Sequence, residues 1–426
     1  MKKILLPEIL KKVFTFVLFT FAGNNGIIQK RFKKGGGKVR HFLEEIKDFS
    51  KKGDMFLLVL CLIISGFGLV CIASATTAEK FDGNFRYIAL QSFAVLMGVA
   101  AYIVISSVDL DLLSEHRAWL VAFNCVLLLM LIPFGTDNGS GNRSWLNIPG
   151  LPFNIQPAEI CKITYVVIMA SVMASHQNTI SHPFSVIHMV FHLGALVVLN
   201  LALSSDMGVS LIFVFIFIGM TFAGGVSLWW FALALGSIAA AFPILWQFLG
   251  DYQRNRILIL FDPTIDPQGI NERYHSKINL QSLTGGGLAG QGLFNGNRTQ
   301  GGNLYAQHTD YIFSSIGEEL GFLGCVFIMC LELAVIARCF YVGVKCQDYM
   351  RRLVCFGAGS ALMFQVMINI GMCIGVMPVI GLTLPFFSYG ASSVVTIFAM
   401  LGLVSGAHAR PQSLSHERYI QPYRGA

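Results

Sequence analysis

The sequence predicts an all-α polytopic membrane protein with ten transmembrane helices and two large extracytoplasmic loops. Three observations carry that prediction. Hydrophobic residues make up 54% of the chain and charged residues only 12%, against about 25% charged in soluble domains. Mean hydropathy is +0.64. Apolar runs near the roughly 20 residues needed to cross a bilayer recur along the chain, and basic residues are unevenly divided among the segments between them.

The runs fall near residues 55–75, 88–108, 118–134, 157–175, 187–203, 208–225, 227–249, 311–337, 353–375 and 384–408. The first 54 residues precede them and hold thirteen Lys and Arg. Positive residues stay on the cytoplasmic side, so this segment is expected inside. Within it, Ile4–Phe21 is interrupted by Glu8, Lys11 and Lys12, a pattern that suits an amphipathic helix on the inner leaflet better than a span. Ten spans return the tail, 409–426, to the cytoplasm. The loop at 338–352, with Arg338, Lys345, Arg351 and Arg352, also falls inside. Loops 135–156 and 250–311 fall outside. The localisation expected is a bacterial cytoplasmic membrane, multi-pass, with membrane lipids as surroundings. The net charge of +7 is then a topology signal, and no nucleic acid is expected as a partner. Ten scattered cysteines without a CxxC pair read as packing residues.

Functional residues concentrate in the outer segments. The first outer loop runs through Arg143 and Trp145 to Gln156-Pro157-Ala158-Glu159, then Lys162. Pro157 suits a first helical turn, and Glu159 and Lys162 share a helix face. They form either a buried ion pair that fixes packing or a pair that lines a substrate cavity. Arg143 beside Trp145 suits a phosphate or a sugar ring, or an interfacial anchor. Asp206, in a short turn, suits a helix cap.

The second outer loop carries Gln253, Arg256, two Asp-Pro pairs, Gln281 and a glycine-rich stretch at 285–292. Such glycines permit close backbone approach to a ligand and offer N–H donors to anions. The loop ends in His308-Thr309-Asp310, directly before an apolar run. Asp310 suits an N-cap, or a carboxylate positioned for general-base work. The last outer turn, Pro385 to Gly390 with Ser388, breaks the helix near the membrane surface, which is tolerated where backbone lines a cavity or is buried in protein.

These motifs, in this order and over roughly residues 55–410, resemble the SEDS family of bacterial membrane proteins, represented by RodA, FtsW and SpoVE. The resemblance implies a peptidoglycan glycosyltransferase that polymerises lipid II outside the cytoplasmic membrane during elongation or division. Lipid II transport is the alternative. The resemblance also implies a class B penicillin-binding protein as partner, together with the elongation or division machinery. It makes Asp310 the catalytic residue. Glu159, Lys162, Arg143, Trp145, Gln253, Arg256, Gln281, His308, Thr309 and Ser388 are expected at the substrate. No cofactor is assigned with certainty; a divalent cation, Mg or Mn, is compatible with a diphosphate leaving group. The Asp-Pro stretch after Arg256 is RodA-like, whereas Gln281-Ser282-Leu283 and Gly381–Pro385 are FtsW-like, with RodA slightly favoured. The chain departs from the family where a Pro-Glu pair commonly precedes His-Thr-Asp: here the residues are Leu304-Tyr305-Ala306-Gln307.

Overall fold

The computed structural model describes residues 52–77, 85–137, 143–148, 153–248, 250, 254–255, 258 and 274–410. The basic segment before Lys52, both Asp-Pro pairs, Gln253, Arg256 and the tail after Arg410 lie outside the described residues.

The described chain is mostly helical. Eight helices are long and apolar enough to cross a membrane. Three precede the first hairpin: α1 (Met55–Ala75), α2 (Phe85–Ser107), and α4 (Arg117–Leu129), which continues through α5 (Leu131–Phe134) as one span. A short α3 (Leu110–Glu115) joins α2 to α4. The other five are α6 (Pro157–Ser175), α7 (Pro183–Ser204), α12 (Ile312–Lys345), α13 (Tyr349–Cys373) and α14 (Ala391–Ala409). Two further helices, α8 (Met207–Ala223) and α9 (Leu228–Phe248), occupy the positions expected for spans six and seven; their apolar stretches, Met207–Ala223 and Leu228–Pro243, are shorter. Helices α6, α13 and α14 are the most enclosed of the spans. They form the bundle interior, while α2 and α7 turn much of their surface outward.

Local chemistry sets the ends. Asp54 caps α1 by accepting from Leu57 N at 3.0 Å, and Asp348 caps α13 by accepting from Arg351 N at 2.8 Å. Both caps also form ion pairs: Asp54 with Arg338 at 2.9 Å, and Asp348 with Arg351 at 3.3 Å. The guanidinium of Arg351 is almost fully buried and also meets Asp111 at 3.1 Å. Charges buried at this end are thus paired, as burial requires.

The structure corrects the expected boundaries. The loop at 338–352 shrinks to Cys346–Asp348, because α12 runs to Lys345 and α13 begins at Tyr349. The last span starts at Ala391 rather than near 384, since Pro385–Gly390 folds as a turn. The loop at 135–156 contains a small hairpin, β1 (Gly135–Thr136) with β2 (Trp145–Leu146), and Leu146 bridges on to Ile155. Beyond residue 273 the loop at 250–311 is largely folded, with α10 (Tyr274–Gly285) and α11 (Asn297–Gln300).

The eighth span is broken. Gly321, inside α12, adopts φ 69° and ψ −167°, a backbone conformation open essentially to glycine alone. The segment before it, Ile312–Leu320, is a short buried helix, and the spanning part follows. The glycine-rich stretch packs against this break. Gln291 N and Gly292 N donate to the carbonyls of Glu318 and Glu319 at 3.0 and 2.9 Å, and Phe322 N donates to Gly287 O at 2.9 Å. A Cβ on Gly286 or Gly290 would collide with the backbone of Gly317 or Glu319. Gly286 and Gly290 therefore serve close backbone packing.

A Gly321→Ala variant places a methyl against Leu288 O and Gly290 N, adding a clash to backbone strain of about 1–3 kcal/mol. It should unfold at a clearly lower temperature than the unaltered protein in detergent micelles; an unchanged midpoint would refute this account of the break.

Candidate active site

The site lies at the end of the bundle where α1 and α13 finish and α2, α6, α8 and α14 begin. A polar cavity of about 870 Å³ opens there. Among its lining residues are Arg86, Tyr87, Trp145, Gln156, Glu159, Asp206, Thr309, Asp310, Gln365, Thr383 and Tyr389.

Asp310 belongs to an irregular segment whose backbone is satisfied from outside any helix. His308 O accepts from Tyr389 N at 2.8 Å, Thr309 O from Ser388 Oγ at 2.6 Å, and Asp310 O from Asn369 Nδ2 at 2.8 Å. Asp310 is not a helix cap: the N-cap of α12 is Tyr311, which makes no side-chain cap bond. Its carboxyl lines the cavity while protein surrounds it on most sides. Burial, reinforced by the negative charge of Asp206, pushes its pKa up to about 6. A helix-terminus dipole would have lowered it; desolvation dominates instead.

Asp206 does cap α8, through Val209 N at 3.0 Å, but its other oxygen accepts from Gln156 Nε2 at 2.7 Å and it lines the cavity. Burial raises its carboxyl pKa as well, partly offset by the bond from Val209 N. Glu159 and Lys162 form a buried pair at 2.8 Å, and the second Glu159 oxygen accepts from Thr396 Oγ1 at 2.9 Å. Glu159 reaches the cavity wall. Lys162 is not among the lining residues; it sits behind Glu159 with its charge already matched.

The remaining predicted residues divide clearly. Thr309 and Trp145 line the cavity. His308 and Ser388 support it from behind, the first by ring contact with Tyr87 at 5.2 Å and the second through the bond to Thr309 O. Arg143 precedes two lining residues, Ser144 and Trp145, but is not itself in the wall. Gln281 lies apart on α10, where its carbonyl accepts from Arg298 Nη1 at 3.1 Å. Gln253 and Arg256 are outside the described residues. Sequence reasoning passed over Arg86, Tyr87, Gln365, Asn369 and Tyr389, which belong to no charged cluster in the chain. Their signal is positional: Arg86 and Tyr87 open an apolar run, at the expected membrane surface. Among the described residues, no three His, Cys, Asp or Glu side chains converge as metal ligands.

Where the family's Pro-Glu pair is missing, Gln307 is buried and donates through Nε2 to Ala75 O at 2.7 Å and Thr299 O at 3.0 Å. It ties the Asp310 segment to the end of α1.

A helical membrane protein with a polar, carboxylate-bearing cavity at one end of its bundle defines the class. Within it, the chain belongs to the cell cycle protein family of FtsW, RodA and SpoVE, whose model matches residues 54–412. It is 31% identical over 366 residues to the probable peptidoglycan glycosyltransferase FtsW of Geobacter metallireducens, covering 84% of this chain and 94% of that protein. It is 30% identical to the peptidoglycan glycosyltransferase MrdB of Escherichia coli K12, covering 85% and 94%. Its fold matches a chain of a peptidoglycan synthase complex at TM-score 0.70 and 28% identity, covering 86% of this chain and 99% of that one. It also matches the rod shape determining protein RodA of Thermus thermophilus at TM-score 0.63 and 25% identity, covering 85% and 98%.

The ion pair yields a test. Lys162→Met leaves Glu159 buried without its cation and should cost about 3–5 kcal/mol, seen as a lower unfolding midpoint. Adding Glu159→Gln should recover most of the loss. Two single losses that merely add would show that the pair is not coupled.

Proposed function

We propose that this protein is a peptidoglycan glycosyltransferase that joins lipid II units into glycan strands on the outer face of the cytoplasmic membrane, with Asp310 as general base. The observation that carries this is the single cavity wall holding Asp310, Asp206, Glu159 and Arg86, in a chain of this family. Support for the orientation comes from charge. Arg338, Lys345, Arg351 and Arg352 are on helix segments at the end opposite the cavity, and positive residues stay inside.

The Asp310 carboxylate takes the proton of the 4-hydroxyl on the acceptor GlcNAc. The freed oxygen attacks the anomeric carbon of the donor MurNAc, and the bond to the diphosphate breaks. Undecaprenyl diphosphate leaves with the bonding electron pair. A pKa of about 6 suits a base at neutral pH: mostly ionised, yet more basic than an exposed carboxylate. Negative charge that develops on the diphosphate needs a cation. Arg86 lines the cavity and is one candidate for it; Lys162 is paired with Glu159. Arg256 and Arg143 remain candidates.

A class B penicillin-binding protein is the proposed partner, consistent with the fold match to a chain of a synthase complex. Lipid II transport has less support, because the polar cavity opens at one end of the bundle, whereas a transporter places its site near mid-membrane between two gates. Depletion separates the branches: rounded cells mark elongation and filaments mark division.

Purified Asp310→Asn, supplied with lipid II and its partner, should form no glycan while folding normally; normal polymer would overturn the assignment. The rate should also follow the ionised fraction of Asp310. It should be level above about pH 7 and fall as pH drops through about 6, approaching tenfold per unit below that. Asp206→Asn removes a negative neighbour and should shift that limb to lower pH.

A further inference from the structure

Three aromatic rings meet beside the proposed base. Tyr87, in the first turn of α2, is 5.0 Å from Tyr389 and 5.2 Å from His308, measured between ring centres, and His308 lies 5.7 Å from Tyr389. Tyr87 contacts both partners edge to face. Tyr87 and Tyr389 are half-buried and line the cavity that holds Asp310; His308 is behind them.

The cluster is held in place from below. Buried Gln91, one helical turn after Tyr87, donates through Nε2 to Ser388 O at 3.2 Å and accepts from Gly390 N at 3.2 Å. Tyr389 N donates to His308 O at 2.8 Å. The first turn of α2 and the turn at 388–390 are therefore stapled on both sides of the rings, and the rings are connected by backbone to Asp310, two residues beyond His308.

Packing alone would be served by three apolar side chains. Instead, the two that reach the cavity carry a flat apolar face together with a hydroxyl. That combination suits a sugar, which presents an apolar C–H face and a rim of hydroxyls, as aromatic side chains with a polar handle do at half-wet surfaces. Pockets of this kind hold their ligand by apolar walls with a few placed polar groups.

We infer that Tyr87 and Tyr389, backed by His308, form the subsite for the acceptor sugar ring, holding its hydroxyl toward Asp310. The inference rests on the proposed transferase activity and extends it.

The test uses a soluble disaccharide-pentapeptide, which carries the sugars of lipid II without its diphosphate and lipid. The full-length protein with its partner is first shown to polymerise lipid II; if it does not, the transferase proposal fails, and this inference with it. In the active protein, the soluble fragment should inhibit polymerisation competitively. Tyr87→Leu should weaken that inhibition about tenfold and raise KM for lipid II by a similar factor, with kcat within about twofold. Tyr87→Phe, which keeps the ring and loses the hydroxyl, should fall between that variant and the unaltered protein, weakening inhibition about threefold, as the loss of one hydrogen bond would. Tyr389→Leu should match Tyr87→Leu. If Tyr87→Leu loses kcat or unfolding temperature with KM and inhibition unchanged, the cluster is packing only. If the fragment does not inhibit the active protein, the subsite is likewise refuted while the transferase proposal stands.

Discussion

The side-chain amide of Asn369 holds the cavity end of the bundle together. It is buried in α13 and donates to Asp310 O at 2.8 Å and to Leu382 O at 2.6 Å. Both carbonyls belong to irregular segments, and a carbonyl without a partner at this depth costs several kcal/mol. The same constraint explains the neighbouring donors. Ser388 and Tyr389 satisfy the carbonyls of Thr309 and His308. Three successive carbonyls before α12 are thus met by three donors from two other segments. With its backbone satisfied from behind, the segment need not be helical, and Asp310 can face the cavity instead of capping a helix.

A second clamp fixes the far side of that segment. Glu318 accepts from Arg298 N and Thr299 N, both at 2.9 Å, and Glu319 accepts from Gln300 Nε2 at 2.8 Å. These carboxylates hold the first turn of α11 against the short helix before Gly321, while the glycine-rich stretch meets its carbonyls. Gln307 closes the gap to α1. From residue 274 on, the loop before α12 is therefore a folded cap whose contacts converge on the break in α12, and the break lets a buried helix and a spanning helix share one run of sequence.

The spans were legible because lipid leaves so few options: an apolar run of sufficient length must satisfy its own backbone, and only a helix does so locally. Glu159, Lys162 and Asp310 were legible because charge at membrane depth is rare. The less legible features depend on contacts distant in sequence. Asp206 has the sequence signature of a cap and is one, yet its bond to Gln156 and its place in the cavity arise only when α6 and α8 meet. Gly321 resembles any glycine in an apolar run until the 285–292 stretch packs on it. The role of that stretch was hidden for the same reason: a glycine needed for close approach looks the same whether the neighbour is a ligand or a carbonyl. Tyr87 and Arg86 lie more than 200 residues from Asp310, and nothing local links them.

The arrangement of charges also shows why Lys162 is better buried than free. A general base must lose most of its proton at neutral pH and still hold protons more tightly than an ordinary carboxylate. A pKa of about 6 leaves roughly nine-tenths of Asp310 ionised at pH 7. A lysine ammonium next to it would stabilise the carboxylate, lower that value and weaken the base. Pairing Lys162 with Glu159 inside α6 matches the cation before it reaches the cavity, so the neighbour that Asp310 feels is Asp206. Asp206 acts in the opposite direction, and its bonds from Val209 N and Gln156 keep it tolerable as a second carboxylate. The ion pair and the proposed base are separate devices: the first keeps a cation out of the cavity wall, and the second keeps its raised pKa because of it.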